Sequence, residues 1–189
     1  MDKVINLFAK ILTCLILRAD IRKKVRTNIL TRWYGRDIFK NAKYIGNNLC
    51  VRGYSAVNRN TSLGSNVLLN GLEIHGNGNV KIGNFVRTGI DCLIITQNHN
   101  YEGSTIPYGT DYIYKEVLIE DFVWLGSRVM ILPGTKIGEG AIIQGGAVVH
   151  GEIPPYSICG GNPAKVFKFR NEKHFKELKS KGKFIQSLM

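Results

Sequence analysis

Aliphatic residues recur at every sixth position in the second half of the chain. The register runs without a break through Ile119, Leu125, Ile131, Ile137, Ile143 and Val149. An amphipathic helix repeats its apolar face every 3.6 residues and a half-buried strand every second residue, so neither accounts for this period. One aliphatic residue per six, with glycines nearby, indicates a short strand followed by a sharp bend.

The same period occurs earlier, slips near residues 76–81 and is interrupted at residues 97–116. Its earlier positions are Ile45, Val51, Val57, Leu63 and Leu69, and then Ile82, Thr88 and Ile94. Three such units close a triangle, and stacked triangles form a parallel β-helix with one aliphatic residue per face pointing to the axis. We therefore predict a mainly β protein, a triangular prism of about five coils over residues 45–164, with an excursion loop at 97–116.

The two ends of the chain lie outside the repeat. We predict an amphipathic, basic helical segment over residues 1–44 and a basic C-terminal tail with a short helix over residues 165–189; both could cover the exposed strand edges of a β-helix. The N-terminal apolar run is too short to span a bilayer, and its basic residues follow it, unlike those of a secretory signal. The apolar run has helical spacing at Val4, Leu7, Phe8, Ile11 and Leu15.

Positive charge is concentrated at these two ends. The formal net charge is +12, with +9 from residues 1–52, +6 from residues 165–189 and −3 from residues 53–164. A basic groove along the β-helix is therefore not expected, and we predict no nucleic-acid partner. A basic end suits an anionic cofactor or an anionic membrane surface. The N-terminal helix either contacts the inner face of the cytoplasmic membrane or packs on its own domain or a neighbouring subunit.

The four cysteines are far apart and form no C-x-x-C pair, which argues against a zinc ribbon or a disulfide framework. We predict reduced, buried thiols in a cytoplasmic protein. The cysteines are Cys14, Cys50, Cys92 and Cys159.

The stretch from Val123 to Val166 combines several motifs with the hexads: VWLGSRVMILPGTKIGEGAIIQGGAVVHGEIPPYSICGGNPAKV. It resembles the hexapeptide-repeat acyltransferases and is similar to their sugar and polysaccharide O-acetyltransferases. The resemblance implies a left-handed β-helix, acetyl-CoA as co-substrate without a metal, and a homotrimer with active sites between neighbouring prisms. It also implies a carbohydrate acceptor. The basic N-terminal helix suits a surface polysaccharide or O-antigen precursor made at the membrane.

One of the four histidines lies in the excursion loop. A sugar hydroxyl must lose its proton as it attacks a thioester, and neutral imidazole accepts a proton at cytoplasmic pH. His99, in the stretch TQNHNYE, also matches the position where related acetyltransferases keep their catalytic histidine. We predict that His99 is the general base and that transfer is direct.

Other polar residues of the loop are candidates for supporting roles. Asp111 is the first candidate to orient the base, and Glu102, Glu116 or a backbone carbonyl are alternatives. Asn98 and Asn100 either bind substrate or form turns.

The resemblance places the coenzyme A arm in a groove between prisms, near Ser127 and Gly145. Trp124 either flanks this groove or packs in the core. Beyond the last coil, Lys165 and Arg170 are predicted to meet the phosphates of the coenzyme.

Several other functions compete with sugar O-acetylation. An amino-sugar N-acetyltransferase or a xenobiotic O-acetyltransferase would use the same histidine and donor groove. A zinc-dependent carbonic anhydrase of the same fold needs three converging histidines, and the excursion loop has one. A β-helix scaffold without activity would need no histidine in a polar excursion.

Overall fold

Four helices and twenty short strands make up the described part of this computed structural model, residues 2–14 and 19–185. Most of the strands form three parallel sheets, which are the faces of a triangular prism. The helices are α1 (Asp2–Cys14), α2 (Ala19–Tyr34), α3 (Arg36–Asn41) and α4 (Glu172–Ser180).

The three faces are built from strands that recur once per turn of the chain. The first face contains β1 (Tyr44–Ile45), β4 (Thr61–Leu63), β7 (Val80–Ile82), β12 (Val117–Ile119), β15 (Lys136–Ile137) and β18 (Glu152–Ile153). The second contains β2 (Cys50–Val51), β5 (Leu68–Leu69), β8 (Arg87–Thr88), β13 (Trp124–Leu125), β16 (Ile142–Ile143), β19 (Ser157–Gly160) and β20 (Lys165–Phe169). The third contains β3 (Ser55–Ala56), β6 (Leu72–His75), β9 (Cys92–Ile95), β14 (Met130–Ile131) and β17 (Val148–Val149).

The chain visits the faces in the same order on every turn. The described strands give five complete turns and two strands of a sixth. Within each face, β1 to β19 pair in parallel with the strands one turn away. This confirms the predicted parallel β-helix of about five coils with helices at both ends.

The prism axis is filled by the aliphatic residues of the repeat. All six residues of the unbroken register from Ile119 to Val149 are 0% exposed. They align in columns: Ile119 pairs with Ile137 on the first face, and Ile131 with Val149 on the third. Successive hexad positions therefore point to the axis from successive faces, and their burial is the main source of stability.

The slip in the repeat is a wider bend between β6 and β7. Ile74 and Ile82 are both buried, and they are eight positions apart instead of six. The side-chain amide of Asn58 donates to the backbone carbonyls of Gly76 (2.6 Å) and Gly78 (2.9 Å) in this bend. The bend absorbs the extra residues, so the period of six resumes at Ile82, displaced by one position from the earlier hexads.

We call the bends between the first and second faces the first corner, and the following two the second and third corners. The first corner stacks five residues with left-handed backbone, at φ between 57° and 60°: Asn48, Asn66, Phe85, Phe122 and Tyr156. This conformation costs a non-glycine residue about 1–2 kcal/mol. The rings of Phe85 and Phe122 stack at 5.0 Å, which offsets part of that cost.

The C-terminal segment covers the last coil and the first corner. β20 pairs antiparallel with β19 and so ends the stack of parallel strands on the second face. Helix α4 then turns back, and the Asn171 side chain caps it by accepting a backbone N–H of its first turn (2.9 Å). Phe175 meets Phe122 edge to face at 5.8 Å, and Lys179 forms an ion pair with Glu139.

The N-terminal helices cover the first coil. Arg26 Nη2 of α2 donates to Asn6 Oδ1 of α1 (3.0 Å), and Ala9 is buried in the core. Thr31 Oγ1 of α2 accepts the backbone N–H of Val51 (3.0 Å), which satisfies a donor at the open edge of the second face.

One face of α1 packs on the domain, and another is exposed. Val4, Leu7 and Ile11 are 66%, 57% and 52% exposed. The Phe8 side chain and residue Leu15, which continue the apolar run in the sequence, lie outside the described residues. None of the described helices is both long and apolar enough to cross a membrane.

Candidate active site

The excursion loop is a short hairpin at the third corner of the third turn. Its strands, β10 (Gln97–His99) and β11 (Tyr112–Tyr114), pair antiparallel. The Lys115 N–H donates to the Thr96 carbonyl (3.0 Å) and closes the base of the loop. The loop therefore leaves the prism and returns to it at neighbouring points, so the register of the coils is not disturbed.

His99 lies at the end of β10, against two tyrosine rings. The centroid of its ring is 3.9 Å from that of Tyr108, with 19° between the planes, and 4.5 Å from that of Tyr112, with 37° between the planes. Its Nδ1 is buried and has no hydrogen-bond partner among the described residues. Nδ1 is therefore closed to a ligand, and Nε2 is the nitrogen by which this half-buried ring could exchange a proton.

The carboxylate of Asp111 is hydrogen-bonded within the loop and not to His99. Its Oδ2 accepts from Asn100 Nδ2 (2.9 Å), and its backbone carbonyl accepts the Asn100 N–H (3.1 Å). Asp111 is thus not bonded to His99 Nδ1, because the carboxylate closes the hairpin turn. A second candidate, Glu116, forms an ion pair with Lys81 (2.8 Å).

The two loop asparagines differ in their surroundings. Asn100 is the centre of the turn: its carbonyl accepts the N–H groups of Gly103 (3.2 Å) and Gly109 (2.8 Å), and its Oδ1 accepts that of Glu102 (3.1 Å). The turn-forming alternative therefore describes Asn100. Asn98 is exposed in the middle of β10, where it could still meet a ligand.

The predicted donor-binding residues line one side of the prism. Trp124 is 55% exposed on the second face, so it does not pack in the core. It shares a groove of about 480 Å³ with Ser127, Gly126 and Gly89. Gly145 stacks directly on Gly126, where an added Cβ would lie 2.4 Å from the Gly145 nitrogen. The second corner therefore has no side chain at Gly126 and Gly145, two stacked positions beside the groove.

The two predicted phosphate-binding cations have different environments. Lys165 is exposed at the start of β20. Arg170 Nη1 donates to the Gly140 carbonyl (3.0 Å), and its guanidinium lies 4.9 Å from the centroid of the Phe175 ring. Burial lowers the pKa of Arg170. Arg170 thus already has a structural role in holding α4, whereas Lys165 faces solvent.

Arg87 is a groove residue that sequence reasoning missed. It lines the same groove as Trp124, and its Nη2 donates to the Ile185 carbonyl (3.2 Å). The period of six indicates this place for Arg87. It precedes the inward Thr88 as Trp124 precedes the inward Leu125, and Arg87 pairs with Trp124 across adjacent turns.

Two thiols near the site are poor nucleophiles. Cys92 and Cys159 are buried and free, and burial raises the pKa of each. Cys50 is also buried, while the Cys14 side chain lies outside the described residues. Among the described residues, no group of three or more His, Cys, Asp or Glu side chains is placed to hold a metal ion.

The excursion loop with His99 and the donor groove start from different corners of the prism, and no residue of the loop lines the groove among the described residues. The loop with His99 leaves from the third corner, after β9, whereas Ser127 and Gly145 lie at the second corner, after β13 and β16. A face of about five residue steps separates these corners, which is roughly 16 Å at 3.3 Å per residue.

Comparison with known proteins identifies the repeat. Residues 116–151 match the family model described as bacterial transferase hexapeptide (six repeats). The chain is 32% identical over 119 residues to a galactoside O-acetyltransferase of Lactococcus lactis, which covers 62% of this chain and 57% of the relative. It is 49% identical over 55 residues to a chloramphenicol acetyltransferase of Escherichia coli, which covers 29% of this chain and 26% of the relative. The chain thus spans less than two thirds of these relatives.

The fold also matches solved structures. A hexapeptide-repeat acetyltransferase of Vibrio cholerae in complex with acetyl-coenzyme A superimposes with a TM-score of 0.51 and 20% identity, covering 89% of this chain and 86% of the other. This similarity concerns the fold. Residues 116–151 thus match the hexapeptide repeat, and the chain has the fold of the hexapeptide-repeat acetyltransferases.

Proposed function

We propose that the protein is an acetyl-CoA-dependent O-acetyltransferase with His99 as its general base. The observation that carries the proposal is a histidine held on an excursion loop of a hexapeptide-repeat prism, with Nδ1 covered and the rest of the ring half-buried. His99 Nε2 accepts the proton of an acceptor hydroxyl as its oxygen attacks the thioester carbonyl. The tetrahedral intermediate then expels the coenzyme A thiolate, which takes the proton back from the imidazolium.

Direct transfer is the simpler route because the nearby thiols are inactivated by burial. The raised pKa values of Cys92 and Cys159 keep both groups protonated at neutral pH. An acyl-cysteine intermediate therefore has no suitable nucleophile in these two residues.

We place the coenzyme along the groove of Trp124, Ser127 and Gly145. The stacked glycines of the second corner, Gly126 and Gly145, allow an extended pantetheine arm to approach backbone groups closely. Lys165 lies exposed beyond the last coil and can pair with phosphate. The structurally similar Vibrio cholerae protein binds acetyl-coenzyme A, which supports this donor.

The separation of His99 from the groove supports a homotrimer with active sites between subunits. A loop that leaves the prism one face away from the groove of its own chain can meet the groove of a neighbour. The third face, which lies between these two corners, carries half-buried outward residues that suit a subunit contact: Leu93, Met130 and Val148.

A carbohydrate hydroxyl is the acceptor that suits the adjoining cavity. This cavity, of about 660 Å³, adjoins the donor groove at Asn70 and includes Glu73, His75 and Asp91. Carboxylates and amides supply the multiple hydrogen bonds by which a sugar is held. We infer a surface polysaccharide or O-antigen precursor, with amino sugars and chloramphenicol-like alcohols as alternatives; the similarity to a chloramphenicol acetyltransferase favours testing the latter.

The exposed side of α1 fits an anionic membrane surface. Val4, Leu7 and Ile11 form one apolar stripe, and Lys3 and Lys10 are exposed beside it. The +9 charge of residues 1–52 adds electrostatic attraction. We propose a cytoplasmic protein held at the inner face of the cytoplasmic membrane, where lipid-linked glycans are assembled.

The test of the catalytic proposal is the rate of coenzyme A release from acetyl-CoA with a panel of acceptors. The panel includes oligosaccharides, amino sugars and chloramphenicol. We expect His99→Ala to lower kcat by about 10²–10⁴-fold without changing the KM for acetyl-CoA, because it removes proton transfer and leaves the donor groove intact.

The matched control is His174→Ala, which removes an exposed histidine of α4. Near-normal turnover by folded His99→Ala would refute the proposed base. If the wild-type protein releases no coenzyme A with any acceptor of the panel, the proposed activity is wrong.

A further inference from the structure

The base of the proposed site has no hydrogen-bonded orienter among the described residues. His99 Nδ1 is buried and unpartnered, Asp111 is engaged by Asn100, and Glu116 by Lys81. An imidazole that must meet a substrate hydroxyl nevertheless needs a fixed plane, because proton transfer depends on alignment.

Two tyrosines supply surfaces that could fix this plane. Tyr108 is nearly parallel to the imidazole at a centroid separation of 3.9 Å, and Tyr112 contacts it at 4.5 Å. Tyr112 is also the residue paired with His99 across the hairpin, so its place follows from the strand register. Stacked rings resist tilting of the imidazole, and their electron-rich faces favour the positive charge that it acquires with a proton.

The turn of the loop brings Tyr108 back to the histidine. The Asn100 carbonyl accepts the N–H of Gly109, the neighbour of Tyr108, at 2.8 Å. Thr105 Oγ1 donates to the Tyr108 carbonyl at 2.8 Å. The turn is also closely packed, since a Cβ on Gly103 would lie 2.6 Å from the Gly109 Cα. These contacts fix the peptide group that joins Tyr108 to Gly109.

We propose that Tyr108 and Tyr112 are positioning residues that hold the plane of the His99 imidazole in place of a carboxylate. The inference rests on the proposed role of His99 as the base. In this proposal, ring stacking orients the imidazole. Asp111 and Asn100 stabilise the turn that places Tyr108 against it.

The test compares substitutions that keep or remove the stacked ring. Tyr108→Phe and Tyr112→Phe retain the ring, and we expect kcat within about twofold of the wild type, because neither hydroxyl is needed for stacking. Tyr108→Leu removes the ring but keeps an apolar side chain, and we expect a loss of about tenfold or more in kcat with an unchanged KM for acetyl-CoA. Tyr101→Leu, at an exposed tyrosine of the same loop, is the matched control.

A second readout does not depend on activity. In proton–carbon NMR spectra, the His99 Cε1–H resonance, assigned by its disappearance in His99→Ala, should be shifted by the ring currents of the tyrosines. We expect Tyr108→Leu to reduce this shift and Tyr108→Phe to retain it. The same spectra and thermal melts show whether each variant is folded.

The outcomes separate the two proposals. If His99→Ala is inactive while Tyr108→Leu has lost the ring-current shift and keeps wild-type kcat, the positioning role is wrong and the base stands. If Tyr108→Phe is as impaired as Tyr108→Leu, the hydroxyl is what matters and stacking is refuted. If His99→Ala is active, the proposed function itself fails, whatever the NMR spectra show.

Discussion

At the residue scale, neighbouring positions of one short strand differ sharply in burial. In β15, Ile137 is 0% exposed at the prism axis, whereas Lys136 is exposed and pairs with Glu152 (3.1 Å). Each turn contributes few inward side chains, so each one contacts its equivalents in the turns above and below. The stability of the stack therefore depends on individual hexad positions.

This difference leads to a prediction about the core. We expect Ile137→Ala to lower the free energy of unfolding by about 2–5 kcal/mol, because it leaves a cavity in a closely packed axis. Lys136→Ala, one residue away, should change it by less than about 1 kcal/mol, since it removes only an exposed ion pair. Urea denaturation followed by circular dichroism measures both, and equal effects would contradict the assigned register.

The sequence predicts inward residues well and loop neighbours poorly, and the reason is physical. A period of six fixes which side of a strand a residue occupies, so the burial of Ile137 follows from it. The sequence leaves the place of Trp124 open between groove and core, and the structure has it outward, next to the inward Leu125. The stacking of Tyr108 on His99 depends on a turn closed by Asn100 and Asp111, whose geometry no period encodes. The prediction that Asp111 orients the base has the same weakness, because its carboxylate accepts a hydrogen bond from Asn100 within the turn.

At the element scale, α1 is a helix with two different surfaces. Its packed side is held by Ala9 and by the bond between Asn6 and Arg26, so the exposed stripe of Val4, Leu7 and Ile11 is presented in a fixed direction. A hydrophobic period in the sequence could indicate that an apolar side exists. Which apolar residues would face the domain could not be predicted, because that depends on the first coil beneath the helix.

We expect the full-length protein to bind vesicles that contain phosphatidylglycerol more strongly than vesicles of phosphatidylcholine alone, and more weakly at high salt. Leu7→Glu should weaken binding by roughly tenfold or more, because burial of one large aliphatic side chain contributes about 1.5–3 kcal/mol. Cosedimentation with the vesicles measures this.

The matched control is Ile106→Glu, which changes an aliphatic residue that is 98% exposed at the tip of the excursion loop. Equal loss in both variants would point to added negative charge alone and contradict a role of the α1 stripe. If Leu7→Glu instead altered the sedimentation coefficient without affecting vesicle binding, a second copy of the chain would be the partner of the stripe.

At the scale of the whole molecule, the prism separates the two halves of the proposed site. The loop is at the third corner and the groove at the second. One chain therefore presents the proposed base, His99, on one edge of the prism and the proposed coenzyme-binding groove on another. If neighbouring subunits complete each site, two inactive variants with substitutions in different halves of the site should restore activity when they assemble together.

We expect no activity from His99→Ala alone or from Ser127→Tyr alone, in which a bulky ring obstructs the groove. Trimers co-assembled from equal amounts of the two should recover about a quarter of the wild-type activity, because one site in four combines an intact loop with an intact groove. Mixing the purified variants without co-assembly is the control. Co-assembled trimers that stay inactive would show that each site lies within one chain.

The closed base of the excursion loop has a consequence for how such a protein can change. Because Thr96 and Lys115 are joined by a backbone hydrogen bond, the hairpin is attached at two neighbouring points and carries no strand of the three faces. A loop of another length or composition could take its place without shifting any turn of the stack. The proposed catalytic loop and the supporting frame are therefore free to vary independently, and exchange of this single segment could change the acceptor of the proposed reaction while the frame is inherited intact.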